Sequence, residues 1–307
     1  MTNDRSGAQP TKNEKRAAAR EKAQQARLEQ KKKERRNRYL LQGGIILGIL
    51  AAIAVVVMVV VSSIPKTYPG PANMLSDGIR IGAGFVAEPT AALQPGESPV
   101  ASEPTEDSDV VDIRIYLDYF CPACGAFEEA NNDQIATWVD SGAATLEIHP
   151  VSILDRASLN SQYSTRAANA AACVANYSPD SFFAYNSLLF ENQPAEGTTG
   201  LDNDELKALA KEAGVAQLGS VETCIDDVRF KKWVNAATAR AFEGPLPNAD
   251  IERVEKTPTV IVNGTAYTGS INDPAEFAKF VSTQSGNAFT DEQKSTPSPS
   301  PSPSPAA

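Results

Sequence analysis

Residues 110–124 read Val110-Val111-Asp112-Ile113-Arg114-Ile115-Tyr116-Leu117-Asp118-Tyr119-Phe120-Cys121-Pro122-Ala123-Cys124. The apolar, β-branched run 110–117 predicts a buried strand. Gly125 to Val139 contains no proline and spaces Phe127, Ile135 and Trp138 at helical intervals, so a helix comes next. The Cys-x-x-Cys therefore sits where a strand turns into a helix. Unpaired backbone N–H groups and the positive end of the helix dipole face the first sulfur there. A thiolate is favoured at such a place, and a cysteine pKa of about 8.5 can fall to roughly 3.5–7.5. Pro122 suits the first helical position, which needs no N–H donor. Residues i and i+3 share a helix face, so Cys121 and Cys124 can close a disulfide. The pattern predicts dithiol redox chemistry.

Charge divides the chain outward from this motif. The 307 residues carry a net charge of −10. Residues 1–40 hold 13 Lys/Arg against 5 Asp/Glu, leaving 15 against 33 for the rest. A split of that size implies two compartments or two partners. No charged residue occurs from Gly43 to Ile64. About 22 such residues span a hydrocarbon core of roughly 30 Å. The basic segment, 1–42, lies directly before this apolar run, so it is read as a solvated topology signal rather than a nucleic-acid-binding arm. This predicts one transmembrane helix over 43–64, with the N-terminus cytoplasmic and the remainder extracytoplasmic. A cleaved signal peptide fits less well, since its apolar region is normally about 7–15 residues long.

Residues 65–109 are rich in Pro, Gly, Ser and acid and read as a linker, with an outlying strand near 79–82. The folded domain starts near Pro71 or near Val110. Beyond the motif, Thr145 to Val151 is a second strand. A helical block then covers about 157–243, with an alanine-rich helix from Ser164 and a Ser178-Pro179-Asp180 start to an aromatic helix. A capped helix begins after Asp202, and another runs from about Asp227 to Glu243. Thr257 to Tyr267 reads as strand, Asn263-Gly264 turn, strand. A last helix runs from Pro274, and 286–307 is a disordered Pro/Ser tail. The order is β-α-β, an all-helical insertion, then β-β-α, with the domain proper at 110–285.

Four cysteines and one histidine limit the chemistry. Ser-His-Asp catalysis and multi-histidine metal sites are disfavoured. Zinc wants four ligands, commonly two Cys-x-x-Cys pairs, and this chain has one such pair, so no metal is expected. Cys173 and Cys224 stand alone on two different predicted helices of the insertion. In an exported domain they are expected to form a structural disulfide, which by loop entropy contributes on the order of 4 kcal/mol. The alternative is a second pair that relays electrons to Cys121–Cys124.

Cys-Pro-Ala-Cys after a strand, a helical insertion, and Thr257-Pro258 before a strand and an Asn-Gly hairpin together resemble the thioredoxin fold. More narrowly, residues 71–284 resemble the DsbA-like thiol-disulfide oxidoreductases in their membrane-anchored bacterial form. The resemblance implies an α/β thioredoxin-like fold with an all-helical insertion, preceded by one transmembrane helix. It implies Cys121 as the nucleophile that forms the mixed disulfide and Cys124 as the buried resolving cysteine. Pro258 would be the cis-proline against the disulfide, and Thr257 the residue whose backbone pairs with substrate. It implies no cofactor beyond the redox-active disulfide. The expected partners are exported proteins with thiols, the cytoplasmic membrane and a membrane quinone-linked reoxidase, with no nucleic acid. A reductase or isomerase of the same fold, and a non-catalytic tethered binding domain, are the rival functions. Two departures stand out. The family's oxidants place histidine between the cysteines, where this chain has Pro122-Ala123. The position that often carries a buried acid is Ile115, which leaves water, Asp118 or Glu147 to handle the Cys124 proton. His149 reads as an ordinary strand-end residue.

Overall fold

The computed structural model describes residues 12–63, 68–105 and 110–295. The chain divides into two units, Met1–Lys66 and Thr67–Ala307. The first holds one helix, α1 (Lys12–Ser63). Among the described residues no helix is long and apolar enough to cross a membrane. The span expected at 43–64 lies partly outside the described residues; of the tail expected over 286–307, residues 286–295 are helical instead, and the rest lies outside the described residues.

The second unit is built on a five-stranded sheet with the order β1-β3-β2-β4-β5. Its strands are β1 (Ile79–Ile81), β2 (Val111–Leu117), β3 (Ala144–Pro150), β4 (Thr259–Val262) and β5 (Thr265–Ala266). β2 and β3 are parallel, joined by α2 (Pro122–Asp140), while β4 pairs antiparallel with β2 and β5 with β4. Asn263 and Gly264 both have positive φ, as a two-residue hairpin turn requires.

Alternation along β2 separates two faces. Ile113, Ile115 and Leu117 point into the main core with Phe127 of α2 and with Phe277 of α8 (Pro274–Ser295). Tyr116 points the other way, into a smaller cluster with Val151, Leu246, Val254 and Ile261.

The outlying strand expected near 79–82 is β1, and the segment around it packs on the domain, which therefore begins near Pro71, the earlier of the two starts considered. β1 pairs antiparallel with β3, and Met74, Ile79 and Ile81 are fully buried. Asp77 accepts two hydrogen bonds from Arg240, at 2.6 and 2.7 Å, and Arg80 bonds Asp112 at 2.5 Å. A Pro/Ser-rich stretch reads as free loop from composition alone. Here its few apolar residues close the sheet edge, and its polar ones find partners far away in sequence.

The insertion comprises α3 (Tyr163–Tyr177), α4 (Phe182–Glu191), α5 (Asn203–Glu212), α6 (Leu218–Asp226) and α7 (Lys231–Glu243). α3 is buried along almost its whole length, its alanines letting neighbouring helices approach closely. α5 starts with a full capping box between Asp202 and Glu205. Helix α6 is the helix expected at Cys224, for which the sequence reading set no bounds.

Candidate active site

The site starts from Asp118, which directly follows β2 and is fully buried. Its carbonyl accepts the Cys121 N–H at 2.9 Å, forming the turn. One carboxylate oxygen accepts the Phe120 N–H at 2.9 Å. The other accepts the N–H groups of Ile153 (2.8 Å) and Leu154 (3.1 Å), which binds the chain leaving β3 to the same turn. Cys121 is then the N-cap of α2 in an extended conformation, and Pro122 opens the helix. The Cys121 carbonyl accepts the first helical bond, from Gly125, at 3.1 Å. The local sequence dictates all of this: a strand, an acid that can hold a turn, and a proline with the φ that a helix start needs.

Thr257 and Pro258 reach the site from the strand end before β4. Their peptide bond is cis, both residues are buried, and the Thr257 carbonyl accepts from the Cys121 thiol at 3.5 Å. The four residues singled out at the motif and at Thr257-Pro258 are thus brought together. Cys173 and Cys224 are joined by a disulfide between α3 and α6, with Cα atoms 5.9 Å apart.

The two sulfurs of the motif differ sharply. Cys121 is lowered from 9.0 to about 6: the hydrogen bond from Cys124 is the largest cause, burial opposes it, and Thr257 and the N–H groups of Cys124 and Ala123 assist. Cys124 is 1% exposed, and burial pushes its thiol well above the ordinary value. One sulfur is set up as a thiolate, the other as a protonated thiol that hydrogen-bonds it.

Of the two carboxylates expected to serve Cys124, Glu147 stands on the wrong face. It pairs in register with Arg114 and Arg80, on the side of the sheet away from Ile115 and α2. Burial opposes its ionisation, but His149, Arg114 and Ser76 hold its carboxyl below the usual range. His149 stacks on Tyr116 at 4.4 Å and lines, with Glu147, Arg114 and Arg240, a cleft of about 380 Å³ on that face. Asp118 is near the site, and burial raises it to about 6, yet its oxygens are taken by the three backbone N–H groups.

Two further residues belong to the site without having been singled out by sequence. Gln193, after α4, donates from Nε2 to the carbonyls of Tyr119 (3.1 Å) and Cys121 (2.9 Å), clasping the turn from the insertion. No local sequence signal marks it. Glu128 lies on the buried face of α2 with Cys124, and its signal was available: it comes four residues after Cys124.

A dithiol turn at a helix start, faced by a cis-proline on a five-stranded sheet with a helical insertion, defines a thioredoxin-like thiol-disulfide exchange protein. A family model described as thioredoxin matches residues 106–283. The disulfide bond oxidoreductase DsbG of Mycobacterium tuberculosis, in its reduced form, is 33% identical with a TM-score of 0.51, covering 70% of this chain and 93% of that one. Oxidised DsbA of the same organism is 32% identical with a TM-score of 0.50, covering 71% of this chain and 100% of that one. BdbD of Bacillus subtilis, 19% identical with a TM-score of 0.51, shares the fold. Among curated sequences, the serine/threonine-protein kinase PknE of Mycobacterium tuberculosis is 34% identical over 106 residues, which is 33% of this chain and only 19% of the kinase. The chain belongs to the thioredoxin family and, within it, is a thiol-disulfide oxidoreductase of the DsbA type.

Proposed function

We propose that this chain is a membrane-anchored extracytoplasmic oxidase that introduces disulfides into exported proteins. One observation carries the direction of the chemistry: Cys121 is lowered to about 6 while its partner Cys124 is raised. A stabilised Cys121 thiolate favours the dithiol state over the disulfide, and so makes the disulfide a stronger oxidant. The helix terminus and Cys124 do here what a histidine between the cysteines does in other oxidants of the family.

A substrate thiolate attacks the Cys121 sulfur, the Cys121–Cys124 bond breaks, and Cys124 leaves with the electron pair. The extended substrate segment lies along the Thr257 backbone, with Pro258 against the reacting sulfurs. A second substrate thiolate then attacks the substrate sulfur of the mixed disulfide, and Cys121 leaves as a thiolate. The substrate has lost two electrons and gained a disulfide, and the protein holds a dithiol. Reoxidation falls to a quinone-linked membrane enzyme, kept close by the apolar segment at 43–64, whose N-terminal flank carries the positive charge of a cytoplasmic side.

The reduction potential of the full chain, measured against glutathione, tests the direction. A value at or above about −180 mV supports an oxidase, and one near about −270 mV makes the protein a reductase. Labelling of intact cells with a membrane-impermeant maleimide tests the placement. Cys121 should react without lysis; reaction only after lysis sinks the extracytoplasmic assignment.

A further inference from the structure

The segment that carries the nucleophile is held from the helical insertion. Tyr119, two residues before Cys121, is fully buried and gripped by α4 and the loop that follows it. Its hydroxyl donates to Asn186 Oδ1 at 3.1 Å, and its ring packs on Phe190 with centroids 5.2 Å apart. Its carbonyl accepts from Gln193 Nε2 at 3.1 Å. An amide nitrogen carries two hydrogens, and the other goes to the Cys121 carbonyl at 2.9 Å. Gln193 is itself fixed, because its backbone N–H donates to the Phe190 carbonyl at 3.0 Å. Its side chain lies over Gly125, where a Cβ would collide with Oε1.

One amide therefore ties two carbonyls together across Phe120 and Cys121. Asp118 holds the N–H groups of the same two residues, one with its carboxylate and one with its carbonyl. The strand end grips the donors of the turn and the insertion grips its acceptors. Between them Cys121 is kept extended, with φ −81° and ψ 115°. An N-cap side chain reaches the N–H groups of the second and third helical residues only while its own backbone is non-helical. Here those residues are Ala123 and Cys124, and their N–H groups, the Cys124 thiol and Thr257 all favour the Cys121 thiolate against its burial. No charged side chain is among these largest influences, so the conformation of the turn carries the effect.

We propose that Gln193 is a positioning residue for thiol-disulfide exchange, through which the helical insertion holds Cys121 in the N-cap conformation that favours its thiolate. This rests on the reading of Cys121 and Cys124 as an exchanging pair and is independent of the direction in which the protein works. The insertion then does more than enclose the site. A shift of the loop after α4 alters the nucleophile without touching its sulfur.

The test compares the full chain with Gln193→Met, which keeps the length of the side chain without its donors, and with Gln193→Ala. Two quantities are read: the pH midpoint of Cys121 alkylation by iodoacetamide, and the equilibrium constant for reduction of the Cys121–Cys124 disulfide by glutathione. Both variants should raise the midpoint from about 6 by about one unit. A less stabilised thiolate disfavours the dithiol, so the equilibrium constant should fall about tenfold. Gly125→Ala, which drives Gln193 away from the other side, should move both quantities in the same direction. In the Gln193→Ala background it should move neither. A midpoint and equilibrium constant in Gln193→Met equal to those of the unmodified chain overturn the proposal, even with a lowered melting temperature, because that is what a brace alone would give. Equal shifts from Gly125→Ala with and without Gln193 overturn it as well. If the unmodified chain reaches no equilibrium with glutathione, the exchanging-pair reading itself falls and takes the proposal with it.

Discussion

Cys121 and Cys124 are three residues apart at the start of one helix, while Cys173 and Cys224 are 51 apart on two helices. Both pairs are buried, so exposure does not distinguish them. What differs is the backbone around each sulfur. Cys121 is an N-cap, with free N–H groups of the first turn turned toward it. Cys173 and Cys224 lie within helices, where those groups are already bonded along the chain. The first pair is held by a local turn that tunes Cys121 toward ionisation; the second is already joined and closes a long loop. Reactivity in this molecule is a property of where the chain places a sulfur, and a short loop or a long one decides what a cross-link can do for stability.

The comparison breaks most visibly by exchanging the roles of the pairs. Cys121→Ala should reduce oxidation of a reduced exported protein to the uncatalysed rate while leaving the melting temperature close to that of the reduced parent. The double change Cys173→Ala with Cys224→Ala should do the opposite. Closing a loop of this length removes denatured-state entropy equivalent to about 4 kcal/mol, so denaturant unfolding should shift by that order while the exchange rate is unchanged. Lost exchange in the double variant would make Cys173–Cys224 an electron relay instead of a brace.

A pH titration sharpens the contrast without mutation. Cys121 is lowered from 9.0 to about 6. Its thiolate therefore stabilises the folded dithiol form fully above about pH 9, and that contribution is lost as pH falls through about 6. Alkylation of Cys121 by iodoacetamide should be half-maximal near pH 6 and fall about tenfold per unit below it. Glu128 runs the other way: raised from 4.5 to about 7, it contributes stability that is full below pH 4.5 and lost as pH rises through 7. An alkylation midpoint near 9 would remove the Cys124 hydrogen bond, and the helix terminus that assists it, as the source of reactivity.

Most of this site was legible because its chemistry is local. The alternation of 110–117, the proline at the helix start and the Asn263-Gly264 turn act over a few residues, and a period of two or 3.6 reports them. Glu147 was misjudged because its face depends on register: Ile115 pairs with Ile148, which places Glu147 beside Arg114 on the far side. The domain start stayed open between Pro71 and Val110 for a related reason, since Asp77 and Arg240 are 163 residues apart and only the folded sheet edge joins them. The bounds of helix α6 were not legible because Gly219, Ser220 and Thr223 are weak helix formers, and it is held by burial of Val221, Cys224 and Ile225. Gln193 had no signal at all, because any polar side chain on that loop reads as solvated until the turn it clasps is in view.

That clasp offers the finest test of how far the two regions act separately. Gln193 belongs to the insertion, yet both of its Nε2 bonds go to the redox turn. A Cβ on Gly125 would collide with Gln193 Oε1, so the clasp exists only because α2 has glycine there. Gln193→Ala frees two carbonyls and should cost about 1–3 kcal/mol. Gly125→Ala pushes the same flexible side chain away, but returns up to about 1 kcal/mol in helix propensity, so its net cost should be smaller. In the Gln193→Ala background the clash is gone and only the propensity gain remains, so Gly125→Ala should there stabilise. A double-mutant cycle by denaturant unfolding measures this as a coupling of roughly 1 kcal/mol. Additive effects would mean that the insertion braces its own disulfide and leaves the turn at Cys121 to support itself.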